Sequence, residues 1–204
     1  MLIVGLTGSI GMGKSTAAAR FREHGLAVFD ADAAVHTLYE GPLAAEINAA
    51  FPGTASAGKV DRITLSAALL AEPHRFKELE ALVHPKVREL QRRFVHAEAQ
   101  RGAKVAVLEI PLLFESGGET AVDVTVVVSA GADVQRARVL HRSGMTAAKL
   151  DALLGRQTPD AEKHRRADFV VDTNGPIAAC NAQVDAIVSK LATRTGTAFA
   201  RHWR

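Results

Sequence analysis

The sequence predicts an α/β fold, a five-stranded parallel sheet flanked by helices, and three observations carry that prediction. Short apolar runs alternate along the chain with longer stretches of helical period. Two of the runs, VAVL at 105–108 and VTVVV at 124–128, read as buried strands. The first run leads directly into a glycine-rich turn that opens a helix.

Taken in order, Leu2 to Thr7 forms the first strand, and the helix after the turn runs to about His24. Gly25 suits the left-handed position that ends it. Leu26 to Phe29, Val105 to Ile110, Val122 to Val128 and Phe169 to Val171 supply the other strands. Further helices are expected over 133–142 and 176–193, and no internal repeat is visible. Two stretches break the alternation. Residues 33–103 hold several helical patterns and no convincing strand, divided by Pro42, Pro52, Pro73 and Pro85. Asp61 is a cap candidate there, and Pro85 is expected to begin a helix that reaches about Arg101. Residues 143–166 are rich in charge and alanine, break at Gln157-Thr158-Pro159, and offer Thr146 and Thr158 as caps. The division expected is therefore a core of 1–32, 104–142 and 167–204, with helical insertions at 33–103 and 143–166. Both insertions should rise from one end of the sheet, where such folds bind ligands.

Composition narrows the class. A chain of 204 residues, 48% hydrophobic and 23% charged, is ordinary for a globular protein and excludes wholesale disorder. Its 25 basic and 22 acidic residues leave a net charge of +3. That surplus permits an anionic ligand without marking a nucleic-acid-coating surface, so no nucleic-acid partner is expected. The single cysteine, Cys180, excludes an intrachain disulfide framework and fits a reducing compartment. The N-terminal MLIVGLTGS lacks a basic n-region, and no apolar run approaches the roughly 20 residues of a bilayer span. A cytoplasmic protein without a membrane partner is the expectation. Nothing in the pattern specifies an oligomeric state.

The chemistry rests on Gly8-Ser9-Ile10-Gly11-Met12-Gly13-Lys14-Ser15, which matches the phosphate-binding loop G-x-x-x-x-G-K-[ST]. Glycines let backbone N–H groups converge on phosphate oxygens, and the following helix adds its positive end. Lys14 would reach the β- and γ-phosphates, and Ser15 would ligate Mg²⁺. Because Met and Lys have similar helix propensity, Lys14→Met is expected to leave the fold intact. No Asn-Lys-x-Asp base-reading motif occurs, and Asp172-Thr173-Asn174-Gly175 comes too late in the chain for a GTPase switch. A small-molecule kinase leads. Such an enzyme needs a carboxylate beside the acceptor hydroxyl. Asp32, in Asp30-Ala31-Asp32 at the end of the second strand, is either that base or a helix cap. Arg138 and Arg142, four apart on one helical face, either neutralise phosphate or form a solvated basic face. Glu109 and Glu115 flank Pro111-Leu112-Leu113-Phe114 and serve a metal, the acceptor, or a buried structural partner. His84 is a substrate contact or starts a helix.

These segments resemble dephospho-coenzyme A kinases. The resemblance rests on GLTGSIGMGKST at 5–16, FDAD at 29–32, VDR at 60–62 with Leu65, HP at 84–85 and PLLFE at 111–115. Gln135, Arg138, Arg142, Gln157 and ADFVVDTNG at 167–175 continue it. It implies a P-loop kinase core, an acceptor-binding insertion over 33–103 and a lid over 143–166. It also implies transfer of the ATP γ-phosphoryl group to the ribose 3′-hydroxyl of dephospho-coenzyme A. Asp32 is then the general base, with Lys14, Arg138 and Arg142 on the phosphates. Gly11, Met12, Gly13, Lys14, Ser15, Thr16, Asn174 and Gly175 bind ATP. Arg62, His84, Leu113 and Glu115 line the acceptor side. Ser9 and Met12 depart from the family's usual glycine and serine at variable positions of the loop, so phosphate binding is expected to survive, although Ser9 restricts φ and Met12 is large enough to alter access to the phosphates.

Overall fold

The computed structural model describes every residue from Met1 to Arg204. The chain begins β1 (Leu2–Thr7), α1 (Lys14–Glu23) and β2 (Ala27–Asp30). It continues α2 (Ala31–Tyr39), α3 (Ala44–Ala50), β3 (Ala55–Ser56), β4 (Lys59–Val60), α4 (Arg62–Ala71) and α5 (Phe76–Gln100). There follow β5 (Val105–Glu109), β6 (Val124–Ser129), α6 (Ala132–Leu140), α7 (Ala147–Leu154), α8 (Asp160–Arg166), β7 (Phe169–Asp172) and α9 (Ile177–Leu191). Contacts group the residues into two units, Met1–Phe29 with Phe94–Arg204, and Asp30–Arg93.

In the larger unit the strands form one five-stranded sheet in the order β2-β5-β1-β6-β7. Central β1 pairs in parallel with β5, Leu2 opposite Val105, and with β6, Val4 opposite Val124. Strand β6 pairs in parallel with β7. Every residue of β1, β5 and β6 is buried, because helices cover both faces of such a sheet. The two-residue period sends Leu2, Val4 and Leu6 toward Phe21 of α1 and Val184 and Ile187 of α9. Ile3, Ala106 and Leu108 face the other way, toward Val95 and Trp203. Helices α1 and α9 are also clamped by charge. Arg20 donates from Nε and Nη2 to the two carboxylate oxygens of Asp185 at 2.7 and 2.8 Å. These bonds, with His24, hold the Asp185 carboxyl well below the usual carboxylate range.

Asp123 helps fasten the chain's C-terminal segment to the start of the sheet. Asp123 accepts from the N–H groups of Ile3, Thr197 and Ala198 at 2.8, 2.6 and 2.8 Å. Gly196 lies so close that a Cβ there would sit 2.7 Å from Leu2 Cα. Asp123→Ala leaves three N–H groups without their charged acceptor, a loss of roughly 3 kcal/mol after water replaces part of it. The melting temperature should fall by about 10 °C, measured by thermal unfolding. An unchanged melting point would show that the clasp adds nothing to stability.

In the smaller unit Asp61 caps α4 as expected, its side chain accepting from Ile63 and Thr64 N–H at 2.9 and 3.1 Å. Those bonds and one from the Thr64 hydroxyl lower the Asp61 pKa. Two expectations are corrected. Pro85 does not begin a helix: α5 runs through it, giving up the bond a residue-85 N–H would make to the residue-81 carbonyl. Val83 and Val87, buried on the same helix, supply the packing that sustains it there. The stretch expected to be strand-free contains the antiparallel pair β3–β4, with Ala55 opposite Val60. Two-residue strands are too short to display an alternating pattern. Their turn, Ala57-Gly58, has φ +48° and +76°, so Ala57 occupies a left-handed position that favours Gly or Asn. Ala57→Gly should therefore raise stability by about 1 kcal/mol, since the Cβ clash disappears. The check is a melting temperature higher by roughly 2–4 °C.

Near the second insertion, Thr146 caps α7, accepting from Lys149 N–H at 3.3 Å. Thr158 does not cap α8, which is a further correction. The cap position belongs to Pro159, and α8 has no side-chain cap, while the Thr158 N–H donates to Glu115 Oε1 at 2.7 Å.

Candidate active site

The loop over 8–13 leaves the carboxyl end of the central strand, the end at which parallel sheets bind ligands. Gly11 and Gly13 have φ +79° and +85°, conformations that L side chains rarely adopt. Gly8 is required by space instead, because a Cβ there would lie 2.6 Å from the Val128 carbonyl oxygen. Gly13 is the N-cap of α1, with no side-chain cap and no acidic residue in the first turn. The positive end of the helix is therefore left for an anion.

The structure accounts for both departures in the loop. Ser9 is not among the residues with positive φ, so its Cβ causes no strain. Met12 does not stand over the phosphate position. It is buried, and its Sδ accepts the Ala130 N–H at 3.0 Å.

Lys14 Nζ donates to Glu109 Oε1 at 2.9 Å, and Arg22 Nη2 lies 3.8 Å from Glu109 Oε2. Glu109 is buried, so the pair sits in a partly dry environment. Both backbone groups of Ile10 are held. Its N–H donates to Gln157 Oε1 at 3.2 Å, and its carbonyl accepts from Gln135 Nε2 at 2.8 Å. Ser15 is exposed and Thr16 half-buried, and the Thr16 N–H returns to the Gly13 carbonyl at 3.1 Å.

Arg138 and Arg142 do not share a helical face, since α6 ends at Leu140. Arg138 donates from Nη2 to the Thr173 carbonyl at 2.6 Å and from Nη1 to its hydroxyl at 3.1 Å. That hydroxyl lies 2.9 Å from the Met12 carbonyl and 3.1 Å from the Ser129 carbonyl, so Thr173 joins β6, β7 and the loop. Arg142 is exposed beyond the helix end. Asn174 Oδ1 accepts the Gly131 N–H at 2.6 Å, and its own N–H donates to Asp172 Oδ1 at 2.7 Å, which orders the turn to Gly175. Leu113 is fully buried, with Cδ2 against Gly5, and shapes the 111–115 segment from beneath. The Glu115 carboxylate is turned inward, toward Thr158 and Lys163.

In the smaller unit Asp32 is exposed in the first turn of α2, and it is not the cap. Asp30 takes that place, accepting from Ala33 N–H at 2.9 Å. Arg62 is exposed at the first position of α4. His84 is half-buried in the interior of α5 and starts no helix. Sequence reasoning singles out neither Thr173, which lies inside ADFVVDTNG, nor Lys163. Threonine after a strand is unremarkable, and Lys163 lies in a helix whose charge pattern reads as solvated.

No cluster of three metal-ligating side chains exists in the structure. The donor chemistry nevertheless fits Mg²⁺, which takes most of its ligands from phosphates and water and needs only one or two from protein. An exposed Ser15 hydroxyl at the start of α1 is such a donor.

The chain is similar to known proteins over nearly its whole length. The dephospho-CoA kinase family model matches residues 2–179. A dephospho-CoA kinase of Rhodopseudomonas palustris is 53% identical over 192 residues, covering 94% of this chain and 96% of its own. That of Mesorhizobium japonicum is 51% identical over 197 residues, covering 97% of this chain and all of its own. Among solved structures, a Thermus thermophilus protein superposes with TM-score 0.78 at 37% identity, over 96% of this chain and 98% of its own. The chain belongs to the dephospho-CoA kinase family.

Proposed function

We propose that Lys14, Asp32, Arg138 and Arg142 carry the family's reaction in this chain. That reaction transfers the ATP γ-phosphoryl group to the ribose 3′-hydroxyl of dephospho-coenzyme A, giving coenzyme A and ADP and completing coenzyme A synthesis. The carrying observation is the loop itself, with glycines at φ +79° and +85° leading into the uncapped start of α1.

In this reading the backbone of Gly11, Met12, Gly13, Lys14, Ser15 and Thr16 holds the phosphates of ATP, while Asn174 and Gly175 border the adenine. Lys14 exchanges its contact with Glu109 for the β- and γ-phosphates, and Arg22 remains beside the Glu109 carboxylate. The Ser15 hydroxyl would hold Mg²⁺, which supplies neutralisation of phosphate charge when bound. Asp32 accepts the proton of the acceptor hydroxyl. Its exposure, and the assignment of capping to Asp30, support that role. Arg142 contacts phosphate from the edge of the 143–166 lid. Arg138 acts close to the nucleotide through Thr173. Residues 33–103 bind the acceptor, with Arg62 and His84, and the 111–115 segment supports that side from beneath, Leu113 by packing and Glu115 through Thr158 and Lys163. No helix is long and apolar enough to cross a membrane, and Cys180 is a buried free thiol, which suits a reducing cytoplasm.

The test is coupled ADP release with dephospho-coenzyme A, adenosine, AMP and shikimate offered separately. Turnover should rise steeply with dephospho-coenzyme A alone. Faster phosphorylation of another acceptor would overturn the substrate assignment.

A further inference from the structure

A charged network lies under residues 157–163. The Lys163 side chain has no exposed surface, and its Nζ lies 3.0 Å from Glu115 Oε1. The approach is off the line a hydrogen bond needs, so the ammonium has an ion-pair partner and no hydrogen-bond partner. Glu115 Oε2 and Asp160 Oδ1 are also buried without one. Such groups are costly to desolvate, and a buried lysine held by a single carboxylate is a poor way to gain stability.

What the network touches is more informative. Glu115 Oε1, besides facing Lys163, accepts the Thr158 N–H at 2.7 Å. The preceding residue, Gln157, accepts the Ile10 N–H inside the phosphate loop at 3.2 Å. Asp160 Oδ2 accepts from the Ser129 hydroxyl, at the end of β6, at 2.6 Å. Residues 157–163 are thus attached to the loop, to β6 and to the 111–115 segment.

We infer that Lys163 is a positioning residue that, through Glu115, holds residues 157–160 against Ile10 and so fixes the phosphate loop for ATP. The inference rests on the reading that residues 8–15 bind ATP. Neutralising Lys163 leaves Glu115 with an uncompensated buried charge. That charge is relieved by admitting water and releasing Thr158, which loosens the neighbouring bond from Gln157 to Ile10.

The experiment compares the wild-type chain, Lys163→Met and Lys163→Arg by residue-resolved amide exchange, by equilibrium binding of ATP and by steady-state kinetics. In Lys163→Met, exchange at Ile10 and Thr158 should quicken far more than in β1 and β5. The dissociation constant and KM for ATP should rise by roughly tenfold, the scale on which supporting groups act. Lys163→Arg should restore part of both. A simple loss of stability would quicken exchange throughout and would not be rescued selectively. If Ile10 and Thr158 exchange no faster than the sheet, or ATP affinity is unchanged, the inference fails. Should Lys163→Met not fold, Lys163→Gln, neutral but able to donate to Glu115, carries the same comparison with a smaller expected change. A wild-type chain whose amides at 8–15 gain no protection from ATP would overturn both the loop reading and the inference. Loss confined to Lys163→Met supports the inference itself.

Discussion

Lys14→Met should reduce kcat by roughly 10²–10³-fold, the effect of removing one preorganised charge from a transferring phosphoryl group. The sequence alone argues that the variant keeps its fold, because Met and Lys have similar helix propensity. The structure changes that expectation. Glu109 is 3% exposed and pairs with Lys14 at 2.9 Å, so the substitution strands a buried carboxylate. Breaking such a pair from one side costs about 3 kcal/mol, the low end of the usual range, because Arg22 remains 3.8 Å away. The melting temperature should drop by about 10 °C. Adding Glu109→Gln removes the stranded charge and should recover most of the melting temperature without recovering turnover. Near-normal turnover in Lys14→Met would sink the phosphate-loop assignment. Unchanged melting would instead show that the Lys14–Glu109 contact does not contribute to stability.

Asp32→Asn should lower kcat by roughly 10²–10⁴-fold, with the low end favoured because proton removal is late in a loose phosphoryl-transfer transition state. Affinity for dephospho-coenzyme A should change far less, since the missing interaction belongs mostly to the transition state. Stability should hold to within about 1 kcal/mol, the scale of an acidic residue near a helix start. Capping is not at stake, because Asp30 supplies it. Asp30→Asn is the control: Asn accepts the Ala33 N–H as well as Asp does, so turnover and melting should both persist. The measurements are kcat, acceptor affinity and melting temperature on each preparation. Full activity in Asp32→Asn would move the search for the base to Asp30, since the Glu115 carboxylate is turned inward.

Sequence reasoning alone located the buried strands, the phosphate loop, the cap at Asp61 and the left-handed end at Gly25. Each is written in a few neighbouring residues, because dihedral preference, side-chain period and local hydrogen bonding act over short stretches. The sequence singles out Asp32 in Asp30-Ala31-Asp32 but leaves it as base or cap, and the structure gives the cap to Asp30. Tertiary structure decided what depends on distant partners. Lys14 meets Glu109 across 95 residues, and the Thr158 N–H goes to Glu115 while Pro159 takes the cap position of α8. Pro85 stays inside α5, whose buried valines flank it. The orientation of Arg138 toward Thr173 and the burial of Lys163 have the same character. A charged side chain's environment is set by whichever carboxylate, carbonyl or apolar surface the folded chain brings beside it, and no local pattern encodes that neighbour.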